Sequence, residues 1–438
     1  MHIAVMNREI LRIALPAIVA NITIPLLGLI DTAIAGHLGS ETCLGAIAVA
    51  SMIFNLLYWN FGFLRMSTSG LTAQAFGRGD EHGCVEVLRQ ACVAALTVSV
   101  GIIVVQAPLL RLALWVIDPS PGVGVLAARY YHVCVWGAPP VLLMMAAKGW
   151  LLGIQDSRAA MLVSIVVNVL NIVCSLVAVY LLGQGFMGIA MGTLAAEWLG
   201  LAYTLWLVRR KLPKSAFVGG RLTFSWSSAF VGNYRRFFSV SGDIFVRSFL
   251  LMLVNLAVTA IGARSGDLVL AANSLIQQLN TLFAYFLDGI AFAGEALVGK
   301  YFGSGDRRRM RLCVRRLFVW AAFLTAVFTV FYTFPQFIFS LLTDKEMVIA
   351  TAMDYRWWCA MLPLAGMAAF VWDGVFIGLT RTRGMLTAVA VATVIFAMLY
   401  AVLPSSLGNH RLWLAFVVYL ATRGIVQTVL YKRVELQG

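Results

Sequence analysis

Apolar runs of 20 or more residues recur from one end of this chain to the other. Each is long enough to cross a hydrocarbon core of about 30 Å as a helix. A helix satisfies its backbone N–H and C=O groups within the segment, which such a core demands. The charged residues are correspondingly few. Of 438 residues, 61% are apolar and 12% are Asp, Glu, Lys or Arg, about half the charged share of a soluble protein. The sequence therefore predicts an all-α polytopic membrane protein.

Twelve spans are expected, at about 10–35, 45–75, 85–107, 125–152, 160–182, 187–208, 243–263, 270–299, 316–342, 352–379, 385–404 and 411–431. The opening MHIAVMNREILRIALPAIVA reads as the first span and not as a cleaved signal. Its apolar stretch runs past Ile30, and no small-residue cleavage site follows. The formal charge of +14 is carried mainly by alternate short loops. Arg78, Arg158, Arg209, Arg210, Lys211, Arg307, Arg308, Arg309, Arg381 and Arg383 all fall after even-numbered spans. Positive loops stay cytoplasmic, so both termini are expected inside. This distribution argues against a nucleic-acid partner.

The chain repeats itself. AFGRGDEHG (75–83) matches YFGSGDRRR (301–309) at an offset of 226. GHLGSETCLGAIAV (36–49) aligns with GARSGDLVLAANSL (262–275) at the same offset, and KGWLLGIQDSR (148–158) aligns with DGVFIGLTRTR (373–383) at 225. Three matches in order indicate duplication. Six spans per copy bring the second copy back in the same orientation, as parallel repeats of the kind that rock around a central cavity. The expected division is an N-terminal six-helix lobe over 1–208, a basic cytoplasmic linker over 209–242 and a C-terminal six-helix lobe over 243–438. The linker contains RRKLPK and YRRFF, which suit an anionic inner membrane surface.

The motifs of soluble chemistry are missing. There is no GxxxxGKS/T, so ATP is not implied, and no HExxH or GxSxG. The seven cysteines form no CxxC pair and read as small buried residues, and the five histidines are dispersed. No enzyme activity, cofactor or metal site is expected.

Ionisable residues within spans are costly and default to functional hypotheses. Here they are Asp31, Arg65, Lys148, Glu197, Arg247, Asp288, Glu295, Asp373 and Arg423. Arg65 and Arg423 lie near span ends and read as snorkelling or structural. Asp31 sits in PLLGLIDTAIAG, after Pro25 and Gly28, which loosen helical hydrogen bonding and permit a bend. An apolar setting disfavours a charged carboxylate, so such a group takes up a proton on one side and releases it on the other. Packing against a neighbouring donor is the alternative.

Asn171 and Ser175 are spaced i, i+4 and share a helix face, as do Thr193 and Glu197. With Asn168, these are the expected partners of Asp31, unless they act only as interhelical hydrogen-bond links. In the second half, Asp288 and Glu295 share a face of span eight, Asp243 and Arg247 are placed to pair, and Asp373 stands where the first copy has Lys148. Two readings stay open there: a cavity for a cationic ligand at Asp288 and Asp373, or a charge network with Arg247 that holds the lobe together.

LRIALPAIVANITIPLLGLIDTAIAGHLG and RMSTSGLTAQAFGRGD resemble the multidrug and toxic compound extrusion (MATE) family, and its bacterial DinF-like branch in particular. WLLGIQDSR, NVLNIV, AYFLDGIAFAGEA and DGVFIGLTRTR carry the same likeness, which covers nearly the whole chain in order. The resemblance implies a MATE/MOP-type fold of twelve transmembrane helices in two lobes around a V-shaped cavity. It implies antiport of amphipathic, cationic, drug-like small molecules in the bacterial cytoplasmic (inner) membrane, driven by inward H⁺ or Na⁺. The family's first-helix acid falls on Asp31, the Asn of its LNI motif on Asn171 and a sixth-helix Thr on Thr193. Where related sequences often have Asp, this chain has Ser175, which weakens a Na⁺ site and shifts the expectation toward H⁺. A lipid-linked-precursor flippase of the same superfamily is the alternative; it needs a cavity rich in Arg and Lys. Membrane lipids and small molecules are the expected partners, and a monomer the expected state.

Overall fold

The computed structural model describes residues 2–37, 41–213, 217–218, 221–222 and 234–436. These residues are almost entirely helical. The helices of the first half are α1 (His2–His37), α2 (Glu41–Asn60), α3 (Phe63–Gly77), α4 (Glu81–Val104), α5 (Gln106–Ile117), α6 (Pro121–Cys134), α7 (Ala138–Gly153), α8 (Ser157–Leu176) and α9 (Phe186–Lys211). Those of the second are α10 (Tyr234–Arg264), α11 (Asp267–Gly303), α12 (Arg307–Thr333), α13 (Gln336–Leu342), α14 (Glu346–Asp354), α15 (Arg356–Gly378), α16 (Thr382–Val402) and α17 (His410–Leu436). Eleven helical stretches are long and apolar enough to cross a membrane. In addition, α1 with 36 residues extends about 54 Å through the expected first span. The chain is a multi-pass membrane protein.

Spans two and four are each built from two helices. A turn at Phe61 and Gly62 separates α2 from α3, and a short 3₁₀ segment, Val135–Gly137, separates α6 from α7. The short helices α5 and α14 lie outside the main body of the expected spans, and the expected ninth span, 316–342, divides into α12, ending at Thr333, and α13. Of the expected linker, residues 214–216, 219–220 and 223–233 lie outside the described residues. Its described part includes two short strands, β1 (Phe217–Val218) and β2 (Arg221–Leu222), paired antiparallel. Arg209, Arg210 and Lys211 occupy the last turn of α9, where cations offset the helix macrodipole.

The repeated motifs have a shared physical cause. In GRGD and GSGD the second glycine, Gly79 or Gly305, adopts a left-handed φ of 70° or 74°, a conformation open to a residue without Cβ. The following aspartate caps the next helix. Asp80 Oδ1 accepts from Gly83 N at 2.7 Å, and Asp306 Oδ1 accepts from Arg309 N at 2.9 Å. The motif thus stops one helix and starts another. The third match also stops one helix and starts another, with left-handed φ of 70° at Gln155 and 52° at Thr380; Asp156 Oδ1 accepts from Ala159 N at 3.1 Å, whereas Arg381 makes no side-chain cap bond.

The chain forms two compact units. The N-terminal unit is Val19–Ser241; the C-terminal unit is Met1–Ile18 with Gly242–Gly438. The opening turns of α1 therefore pack with the C-terminal unit. Asn7 Oδ1 accepts from Arg316 Nε at 2.8 Å, and Tyr301 donates its hydroxyl to Glu9. The opening turns of α10 pack with the N-terminal unit. Ser241 Oγ donates to Ser67 Oγ at 3.0 Å, and Arg236 Nη2 donates to Gln74 Oε1 at 2.7 Å.

Candidate coupling site

In the N-terminal unit, α8 and α9 meet through glycines. A Cβ on Gly192 would overlap the backbone of Ser175, and one on Gly188 would come within 2.8 Å of the Ala178 carbonyl carbon. A π-helical turn over Val177–Leu181 follows α8 directly; such turns are frequent at functional sites. This close approach brings the two i, i+4 pairs together. Asn171 Nδ2 donates to Thr193 Oγ1 at 3.1 Å. Gly192→Val is expected to lower stability by about 1–3 kcal/mol through overpacking, read as a drop in the thermal unfolding midpoint. Gly101→Ala, with nothing within 4 Å of the new Cβ, is the neutral control.

Helix α6 joins these elements to α1. Tyr130 lies close enough to interact with Asp31, Cys134 and Thr193. Cys134 in turn interacts with Glu197 and Asp31, and its Sγ donates to the Ala190 carbonyl at 3.6 Å. Tyr58 of α2 interacts with Glu197, Cys134 and Tyr131. Glu197 lies over Gly137, where any side chain would overlap its Oε2. On the far side, Ile34, Ala35, Ile47, Ala50, Ile189 and Ala190 pack as an apolar cluster with Tyr130 and Cys134.

Within this web several oxygens are buried without a hydrogen-bond partner: Asp31 Oδ1, Asn171 Oδ1, Ser175 Oγ and Glu197 Oε2. The hydroxyls of Tyr58 and Tyr131 are in the same condition. Buried polar atoms are nearly always paired, with protein groups, ordered water or an ion, so this cluster of oxygens marks the candidate site. Asn168 lies outside the group and donates through Nδ2 to the Thr23 carbonyl at 3.3 Å. Pro25 and Gly28 lie within the continuous helix α1. Pro25 supplies no N–H to the Asn21 carbonyl four residues back, and Gly28 leaves open space around its Cα. Among the described residues no group of three or more His, Cys, Asp or Glu is arranged to hold a metal ion.

The C-terminal unit handles its charges differently. Asp373 Oδ2 accepts from Arg247 and, at 2.8 Å, from Arg423 Nη2; its Oδ1 accepts from Gln427 Nε2 at 2.7 Å. All four residues are buried. These are the contacts of a charge network, the second of the two readings of Asp373. Arg247 therefore pairs with Asp373, while Asp243 accepts from Thr382 Oγ1 at 2.7 Å. Asp288 sits half-buried beside Tyr285. Glu295 is buried on α11, where a Cβ added to Gly378 of α15 would come within 2.9 Å of its carbonyl oxygen.

The family model MatE matches residues 16–177 and 244–403, one match in each half of the repeat. The chain belongs to the MatE family. DNA damage-inducible protein F of Escherichia coli is 37% identical over 428 residues, covering 98% of this chain and 92% of that protein. Multidrug resistance protein MdtK of Photorhabdus laumondii is 22% identical over 446 residues, covering 96% and 93%. Among solved structures, the Vibrio cholerae MATE transporter VcmN in its bent form superposes with a TM-score of 0.84 at 15% identity, covering 99% of this chain and 97% of that one. The MatE fold thus extends over the full chain, and the family is one of transporters rather than enzymes.

Tyr58, Tyr130 and Cys134 were not singled out from the MatE sequence itself. Tyr130 and Cys134 are spaced i, i+4 on α6, the same signal that marked Asn171 with Ser175. It was masked by the reading of cysteines as small apolar residues.

Proposed function

We propose that this chain is a secondary antiporter that exports amphipathic, cationic small molecules, driven by inward H⁺ in preference to Na⁺. The observation that carries this reading is the set of unpartnered oxygens on Asp31, Asn171, Ser175 and Glu197. The multidrug-resistance name of the MdtK relative supports drug-like small molecules as the substrates. Asp31 is the proton carrier. As a carboxylate it can only accept hydrogen bonds; once protonated it donates one. That donor satisfies an acceptor in the web and rearranges the contacts of Tyr130, Thr193 and Asn171. Helix α1 then bends near Pro25 and Gly28, where its hydrogen bonding is weakest. Ser175 offers a neutral oxygen where a hard cation prefers a charged one, which favours H⁺.

The protein works as a monomer in a bacterial cytoplasmic membrane with both termini inside. In sequence, six spans within 1–208 and six within 243–438 are joined by a basic linker over 209–242, with the opening turns of α1 packing in the C-terminal unit. The basic loops set that orientation.

The test is transport in proteoliposomes under a pH gradient and, separately, a Na⁺ gradient. A fluorescent cationic dye is expected to move under the pH gradient alone. Movement under the Na⁺ gradient alone overturns the choice of ion, and movement under neither overturns the antiport reading.

A further inference from the structure

Helix α12 begins where the second GxGD motif ends, as α4 begins where the first does. The two starts align at the offset of 226, Arg307 on Glu81 and Arg316 on Gln90. Their charges differ. Residues 81–90 hold two glutamates and one arginine, and Glu86 pairs with Arg89. Residues 307–316 hold six arginines and no acid. The orientation proposed above puts both stretches on the cytoplasmic side. Orientation is set by an excess of basic residues in short loops, and the first copy holds its place with Arg78 and Arg89. The surplus on α12 therefore exceeds what topology asks of the same loop in the other copy.

Burial sorts these arginines. Met310, Cys313, Val314 and Leu317 are buried on the inner side of α12. Arg316 is half-buried and donates to Asn7. Arg309 pairs with Asp306, and Arg307 lies over the Phe302 ring. Arg308, Arg311 and Arg315 are exposed and recur at i, i+3 and i+7, so they share one helix face. That face continues through Val319, Phe323 and Val330, which are exposed apolar residues of the span. Arg315 precedes Val319 by about 6 Å along the helix. The face thus changes from charge to apolar surface within one turn, as the inner leaflet changes from head groups to acyl chains. Among the described residues, Arg308 and Arg315 make no ion pair or hydrogen bond.

We propose that this face of α12 binds an anionic phospholipid of the inner leaflet, with the phosphate at Arg308, Arg311 and Arg315 and the acyl chains along Val319, Phe323 and Val330. The planar guanidinium fork matches the oxygens of a phosphate, and basic residues next to a span are drawn to anionic lipid. A nucleic acid or an acidic peptide would meet the charge but not the apolar half of the face. On the inner side of the same region, Arg316 and Tyr301 hold the opening turns of α1 through Asn7 and Glu9. The bound lipid therefore covers the outside of the segment that anchors α1. The site does not depend on what the protein exports.

The experiment titrates the full-length protein in dodecyl maltoside with dioleoyl phosphatidylglycerol and, separately, with dioleoyl phosphatidylcholine. The two lipids differ in net charge, and bound lipid is read by native mass spectrometry. The wild type is expected to bind phosphatidylglycerol about tenfold or more tighter than phosphatidylcholine. Arg308→Gln with Arg315→Gln is expected to lose that preference, and lysine at both positions to keep most of it. Arg209→Gln with Arg210→Gln, an equal loss of charge at the end of α9, is expected to leave it unchanged. Equal binding of the two lipids by the wild type overturns the proposal. So does a preference that survives Arg308→Gln with Arg315→Gln. An equal loss in the α9 variant also overturns it, because the attraction is then one of diffuse charge. Glycerophosphoglycerol, the soluble head group, is added as a competitor; displacement of the lipid at equal concentration assigns the face to free phosphate and overturns the lipid. Gel filtration checks the fold. Should the double variant misfold, Arg308→Gln and Arg315→Gln singly carry the test, each expected to weaken phosphatidylglycerol binding about fivefold.

Discussion

An Asp373→Ala protein is expected to lose about 3–5 kcal/mol of stability, the usual effect of breaking a buried ion pair by removing one partner. The carboxylate receives Arg247, Arg423 and Gln427, and the ion pairs lie between side chains only 4–9% exposed. Alanine leaves two guanidinium groups facing each other without their counter-charge. Neither can release its proton to escape, because arginine stays charged at any accessible pH. The Gln427 amide loses its acceptor as well. Thermal unfolding in detergent measures the effect. Removing the whole set, with Arg247→Met, Asp373→Leu and Arg423→Met together, is expected to recover much of the loss, since well-packed apolar residues replace buried ion pairs at little net cost. An Asp373→Ala midpoint within a degree of wild type would show that the network contributes nothing, and would reopen Asp373 as a ligand for a cation.

Asp31→Asn is expected to abolish dye export driven by a pH gradient, down to the level of empty liposomes, while leaving the unfolding midpoint within the range of an ordinary surface change, about 0.5 kcal/mol. Asparagine matches aspartate in size and cannot exchange a proton. Its amide permanently offers the donor that Asp31 offers only when protonated, so the variant is held in one state of the cycle. Binding of the dye to the purified Asp31→Asn protein distinguishes lost coupling from lost binding, and it is expected to persist, because asparagine keeps the size of the side chain. Export by Asp31→Asn at the wild-type rate against the gradient would remove Asp31 from the coupling step.

The elements were largely legible because their signals are local. Hydropathy over about 20 residues marks a span, and the GxGD repeats mark where helices stop and restart. Asp31 stood out because a carboxylate is unexpected in such a segment. The i, i+4 spacing put Asn171 with Ser175 and Thr193 with Glu197, and the structure places Asn171 against Thr193. Other contacts were not local. Arg247 is spaced to pair with Asp243 on its own helix, yet its partner is Asp373, 126 residues away. Arg423 read as a span-end residue, but α17 runs to Leu436 and carries Arg423 inside the unit, at 3% exposure. Tyr130 and Cys134 joined the site only because α6 packs against α9 with Glu197 over Gly137.

By itself, then, the sequence determined that this chain spans a membrane many times, that it is duplicated, and that a first-helix carboxylate sits where charge is costly. Those properties follow from transfer free energies and helical periodicity, which act within one segment. The tertiary structure decided which charges are neutralised inside the protein, as Asp373 is by Arg247 and Arg423. That outcome depends on how close two helices come. The closeness is set by single glycines whose missing Cβ lets one backbone touch another, as at Gly149, Gly192 and Gly374.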